Sequence, residues 1–429
     1  MIVAAGLAIL IFLLVFGMPV AFALGAAGMI GLYLKGGLDM VVGILRTTPL
    51  SVTSSYELIT VPMFMLMAEF IIVSRIADEL FDSAKVWLGR VPAGLAIATA
   101  LSGAAFGAIS GSSTASAATL SGTSIPAMLR NNYNSRLATG VVAISGTLAM
   151  LIPPSIAIIL YGLIADLSIS KLLIAGIIPG ILVTLVIILT VLVLAALNPG
   201  HAPAGQAYSL GEKIRSLRVV GPMMALIMLV TGCVYLGIST PTEAASMGAF
   251  GAFVIALLRG RLNWENFKTA LFKAARTSCM IVLIVICAQV FSYYFTLTGL
   301  TQDLVGFVGE LNVSRWVIFF LIVLLYLALG CIMDQIAILF LTVPIVLPVM
   351  VSLGFDPIWF GIIIIITAEV GLVTPPVGLN VFVVSAYAKI PVKEIFIGVT
   401  PHVAAHMLVI LLLVLFPALV TWLPSTVIQ

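Results

Sequence analysis

The chain has 429 residues, of which 62% are hydrophobic and only 8% charged. A soluble globular protein carries about 25% charged residues, so this composition excludes an ordinary water-soluble domain and places most of the surface in lipid. The net charge of +3 gives no indication of a nucleic-acid partner.

A bilayer core of about 30 Å needs about 20 apolar residues per crossing helix. In chain order, membrane segments are predicted near residues 2–34, 57–74, 134–161, 172–197, 219–236, 241–258, 276–298, 357–388 and 395–422. The first lacks a charged leader and a cleavage site, so it reads as a mature membrane segment. Residues 36–56 are intermediate and carry no assignment. Two further regions, 93–129 and 315–352, are each too long for one crossing and are interrupted by small or helix-breaking residues. The first contains GAISGSSTASAATLSGTSIP (Gly107–Pro126); the second contains GCIMDQ (Gly330–Gln335), Pro344 and Pro348. Lipid-exposed backbone does not break inside hydrocarbon, so both are expected to be re-entrant hairpins shielded by protein.

One clearly polar linker, Asn198–Arg218, divides the chain near its middle. Basic residues set orientation. Lys213, Arg215 and Arg218 on one side, and Arg259, Arg261, Lys268, Lys273 and Arg276 on the other, flank the apolar pair 219–258, which puts both ends of that pair in the cytoplasm. Counting outward places Lys85, Arg90, Arg130, Arg136, Lys389 and Lys393 inside as well, with an inner N-terminus and an outer C-terminus.

The two halves repeat. Pro153–Pro154 in AMLIPPSI matches Pro375–Pro376 in GLVTPPVG at an offset of 222 residues. The same offset pairs Lys171 with Lys393, Gly176 with Gly398, Pro179 with Pro401 and Pro126 with Pro348. By the charge count, the first Pro-Pro helix runs outward and the second inward, so the halves are expected to be inverted repeats, each with a hairpin followed by a Pro-Pro-broken helix. The fold class is therefore an all-α polytopic membrane protein. The expected divisions are scaffold segments over 1–90, the first repeat over 91–197, a linker over 198–218, central scaffold helices over 219–298 and the second repeat over 299–429.

Two consecutive prolines remove backbone donors and leave carbonyls near 149–152 and 371–374 without helical partners. Ser110, Ser112, Ser113 and Thr114 line the first hairpin tip, and Asp334 and Thr374 lie in the second region. Hard oxygen ligands of this kind suit Na⁺, aided by helix-end dipoles. No His or Cys cluster suggests a transition metal. The cysteines Cys233, Cys279, Cys287 and Cys331 read as small buried hydrophobes. Among the intramembrane acids, Asp334 and Glu369 are functional candidates, whereas Glu69 and Glu243 read as structural caps. His402 and His406 read as helix packing. No intramembrane pairing of nucleophile with base and no HExxH motif supports an enzyme, and inverted halves with closed hairpins argue for alternating access rather than a channel.

Several motifs occur together: GMPVAFALG (Gly17–Gly25), VPMFMLMAE (Val61–Glu69), SGSSTASAA (Ser110–Ala118), LIPPSI, GISTPTEAA (Gly237–Ala245) and GLVTPPVGLNVFV (Gly371–Val383). In this order they resemble the large membrane subunit of TRAP transporters, the tripartite ATP-independent periplasmic transporters, along nearly the whole chain. The resemblance implies an elevator-type, sodium-coupled importer of the ion-transporter superfamily in a bacterial or archaeal cytoplasmic membrane. It implies a small four-helix membrane subunit, here expected as a separate chain, and a periplasmic substrate-binding protein. Carried onto matching positions, it implies a first sodium site at Ser110, Ser113, Ala149, Ile152 and Pro154, and a second at Gly330, Gly371, Thr374 and Val377. Substrate, a small organic acid anion, would bind between the hairpin tips near Ser112, Asp334 and Asn380. The alternative within the same superfamily is a stand-alone dicarboxylate or citrate carrier.

Overall fold

The structure is a computed structural model that describes residues 2–310 and 313–426. Every regular element among the described residues is helical. The chain opens with α1 (Ile2–Val15) and α2 (Val20–Thr53). The expected single segment over 2–34 is thus two helices. Gly17 takes φ +79° and Pro19 brings no amide to continue a ladder, so the chain turns there. Helix α2 also claims most of the unassigned stretch after residue 35, with Gly36 and Gly37 outside helical geometry.

Next come α3 (Thr60–Ser74) and the amphipathic α4 (Ile76–Leu88). The first expected hairpin is α5 (Gly94–Ser110) and α6 (Ser113–Arg130), two packed helices turned by Gly111 at φ +54°. The first Pro-Pro region divides into α7 (Ser135–Thr147), a 3-10 turn at Leu148–Met150, and α8 (Ile156–Ala165). Helices α9 (Ile169–Ala175) and α10 (Ile177–Leu197) lead into the polar linker. After it follow α11 (Leu210–Tyr235), α12 (Pro241–Leu258), α13 (Trp264–Thr298) and α14 (Leu300–Glu310). The second hairpin is α15 (Arg315–Gly330) and α16 (Gln335–Ser352). The second broken helix is α17 (Pro357–Gly371) and α18 (Leu379–Ala388), and α19 (Val392–Leu415) and α20 (Ala418–Ser425) close the chain.

Among the described residues, eight helical stretches of at least 18 residues are apolar enough to cross a membrane, so the protein is multi-pass. Two packing groups emerge. Helices α2, α3, α11, α12 and α13 pack on one another, and α5 to α8 interleave with α15 to α19. Interleaving is reciprocal: α6 lies on α18, and α16 lies on α8.

Local chemistry explains several ends. At α12, Thr240 caps the Glu243 amide at 3.3 Å while Glu243 accepts from the Thr240 amide at 2.8 Å, a reciprocal capping box. Glu243 is the structural cap expected of it. Glu69 is not: it sits half-buried within α3, away from either helix end. Caps also recur at the 222-residue offset. Ser112 accepts from the Ala115 amide at the start of α6, and its counterpart Asp334 accepts from the Ile336 amide at the start of α16. Asn134 and its counterpart Asp356 cap α7 and α17 with bonds of 2.9 and 2.8 Å. Both Pro-Pro bonds, Pro153–Pro154 and Pro375–Pro376, are cis.

Candidate functional site

Each hairpin presses its backbone onto the broken helix of its own half. A Cβ on Gly107 would lie 2.8 Å from the Ala149 Cα, and one on Gly330 would lie 2.9 Å from the Gly371 Cα and 2.7 Å from the Ala368 carbonyl. Only glycine allows such approach. This contact sets the freed carbonyls of each break beside a hairpin arm.

In the first break, Ala149 and Pro154 are buried and Ile152 is half-buried. Ser155 donates to the Met150 carbonyl and caps α8. Among the described residues no hydrogen bond reaches the carbonyls of Ile152 or Pro154. In the second break the carbonyls of Thr374 and Val377 are equally free. The Thr374 hydroxyl donates to the Gly371 carbonyl at 3.1 Å and lies 3.0 Å from Cys331 Sγ. These oxygens form the kind of hard, uncharged donor set that accepts a dehydrated alkali cation.

The tip residues behave differently from one another. Ser110 is buried and its hydroxyl is 2.8 Å from that of Ser116, within the first hairpin. Ser113, also buried, donates across the halves to Asn380 Oδ1 at 2.9 Å. The sequence assigns Ser113 to a cation and Asn380 to substrate; the structure joins them in one bond. Asn380 is fully buried and its Nδ2 has no partner. Ser112 is half-buried, whereas Asp334 is exposed.

Two residues carry more than the sequence suggests. Cys331 is buried at the second tip, bonded to Leu327 and Thr374. Cys279, by contrast, is exposed on its helix, so the reading of all four cysteines as buried hydrophobes fails there, while Cys233 and Cys287 are half-buried. Gln335 is fully buried and donates to the Ile365 carbonyl at 3.2 Å, leaving its Oε1 unpartnered. Its position in GCIMDQ just after Asp334 was the only available signal. Glu369 is buried with neither carboxylate oxygen bonded. His402 and His406 are buried on α19, where His406 Nδ1 lies 2.8 Å from the His402 carbonyl. No cluster of three or more His, Cys, Asp or Glu side chains occurs among the described residues.

The two breaks also differ in access. Pro153 and Pro154 are sealed behind Phe64 of α3 and Val230 and Val234 of α11. Pro375, Pro376 and Val377 are exposed, Val377 by 37%.

Residues 7–419 match the family described as the tripartite ATP-independent periplasmic transporter, DctM component. The chain belongs to the DctM family. It is 34% identical to the C4-dicarboxylate TRAP transporter large permease protein DctM of Pseudomonas aeruginosa, covering 86% of this chain and 85% of that one. Identity is 31% to the 2,3-diketo-L-gulonate TRAP transporter large permease protein YiaN of Escherichia coli, over 96% and 98% of the two chains. The isethionate TRAP transporter permease protein DctMQ of Oleidesulfovibrio alaskensis is 32% identical over 95% of this chain, which spans 64% of that longer protein. Among solved structures, the YdaH transporter of Alcanivorax borkumensis shares the fold, with a TM-score of 0.65, 14% identity, and coverage of 90% and 89%. As a DctM family member the chain is a transporter permease rather than an enzyme, as its sequence predicts.

Proposed function

We propose that the chain is the large permease subunit of a sodium-coupled, binding-protein-dependent importer of a small organic acid, working by an elevator movement in a bacterial or archaeal cytoplasmic membrane. The observation that carries this reading is the pair of equivalent helix breaks with unlike access, one sealed behind α3 and α11 and one open. Two such sites in inverted halves are what alternating access needs. Sodium would be held at the first break by carbonyls of Ala149, Ile152 and Pro154 with Ser110 and Ser113 nearby. At the second it would be held by Gly330, Gly371, Thr374 and Val377. As a cargo ion it would raise affinity for the anion through charge.

Substrate recognition follows from the tips. Helix α6 points its N-terminus, capped by a neutral serine, at the region where Asn380 holds an unpartnered Nδ2. A helix N-terminus favours an anion. At the other tip Asp334 offsets the equivalent end of α16, so the carboxylate of a substrate is drawn towards Ser112 and Asn380. The named relatives carry dicarboxylate, isethionate and diketogulonate, which supports the organic-acid class. Their membership in a tripartite family supports a small four-helix membrane subunit and a periplasmic binding protein as partners.

Reconstitution into liposomes with an imposed Na⁺ gradient tests the whole reading. Uptake is expected only when the small subunit and a cognate binding protein are present, with a sigmoidal dependence on external Na⁺. Undiminished uptake without Na⁺ would remove the coupling ion. Concentrative uptake by this chain alone would leave a stand-alone carrier in its place.

A further inference from the structure

A groove of about 470 Å³ runs between α4, α5 and α11, away from both helix breaks and both hairpin tips. That volume lies within the range of about 300–1,000 Å³ that holds small ligands. Each helix gives it one apolar stripe: Leu80 and Trp87 from α4, Leu101 and Ala105 from α5, and Leu217 and Met224 from α11. Leu80 forms a buried floor, while Trp87, Leu101, Leu217 and Met224 are exposed along the rim. Polar lining is slight; the Ser102 hydroxyl is already bonded to the Ala98 carbonyl at 2.7 Å.

One end of the groove is basic. The Lys213 ammonium lies 5.5 Å from the centre of the Trp87 ring. Lys85, two residues before Trp87 on α4, faces a separate cavity with Gly89 and Tyr208, so Lys213 is the cation at this end of the groove. This end is the start of α11, which the charge pattern assigns to the cytoplasm. Met224 and Ala105 lie further along their helices, towards the membrane interior. A tryptophan at headgroup depth beside a long cationic side chain is the arrangement of a membrane interface.

We propose that the groove holds one acyl chain of an anionic phospholipid from the cytoplasmic leaflet, with its phosphate against Lys213. The apolar trench matches a hydrocarbon chain, and the basic end selects headgroup charge. A soluble ligand would need convergent polar groups that the lining does not offer. A helix with side chains is 10–12 Å across and would fill this volume within about four residues, so the groove suits a chain rather than a helix. Because α5 belongs to the first hairpin and α4 and α11 do not, the lipid would join the hairpin to helices outside it.

The test is native mass spectrometry of the purified complex after exposure to mixed micelles holding equal phosphatidylglycerol and phosphatidylcholine. Wild-type protein is expected to retain phosphatidylglycerol in preference. Ala105→Phe fills the groove and should abolish that retention. Lys213→Gln should lower it about fivefold, without changing retention of phosphatidylcholine. Where Ala105→Phe fails to fold, judged by its elution and melting, Leu101→Gln at the exposed rim replaces it, with the same loss expected. Equal retention of the two lipids by wild type, or wild-type retention by the groove variant, overturns the proposal. So does crosslinking from Leu101→Cys to a helix of the small subunit instead of to lipid.

Discussion

The hydroxyl of Thr374 sits between Cys331 Sγ and the Gly371 carbonyl, at 3.0 and 3.1 Å, inside the second break. At the equivalent position of the first break stands Ile152, which has no such group. Thr374→Val conserves shape and removes the hydroxyl. A neutral hydrogen-bonding group of this kind contributes about 1 kcal/mol, so Na⁺ affinity is expected to weaken about fivefold to tenfold. Melting should change little, and Thr374→Ser should restore binding. Direct ²²Na⁺ binding to the purified protein checks this, and unchanged affinity would take Thr374 out of the site. Residue types at the breaks were legible because proline acts on its own local backbone. The Ser113–Asn380 bond was not, because it closes over 267 residues and no local pattern encodes a partner that distant.

At the scale of elements, the contact between α15 and α17 depends on two glycines meeting face to face. Gly330→Val would drive a side chain into the Ala368 carbonyl and the Gly371 Cα. Overpacking of this kind costs about 1–3 kcal/mol, which is enough to shift α15 off α17 without unfolding a protein of this size. Transport activity is expected to fall to background while membrane insertion and elution volume stay normal; wild-type uptake by Gly330→Val would show that the close approach is not required. The hairpins were readable from the small-residue run of the first and from GCIMDQ, Pro344 and Pro348 in the second, since a membrane segment of that length must turn back. The split between α1 and α2 was not read, because hydropathy averages over Gly17–Pro19 and sees only apolar residues on either side. Likewise, capping correctly identified Glu243 from TPTE, whereas Glu69 has no such sequence frame and lies inside its helix.

For the molecule as a whole, the sealed break lies where α9 meets α11: Ile174 and Val230 line the same small cavity beside Pro153 and Pro154. If the first half moves against α3 and α11 during transport, that contact must open. In a protein freed of its native cysteines, Ile174→Cys with Val230→Cys is therefore expected to crosslink with a bifunctional thiol reagent and stop uptake, reversibly on cleavage of the linker. Full activity of the crosslinked protein would make the interface static. The linker sets a further limit. The Ala93 amide bonds to the Ala202 carbonyl and the Asn134 amide to the His201 carbonyl, at 3.2 and 2.9 Å, so the linker's beginning is fastened to the first half. Residues 203–209 then pass against Gly89, with no hydrogen bond to the first half among the described residues, before α11 begins. Fully extended, that stretch reaches about 25 Å, and the join from Gly89 to Ala93 between α4 and α5 reaches about 18 Å. The shorter of these tethers governs: if the first half is lifted during transport, its slack allows a step of about half a bilayer, not passage from one face of the membrane to the other.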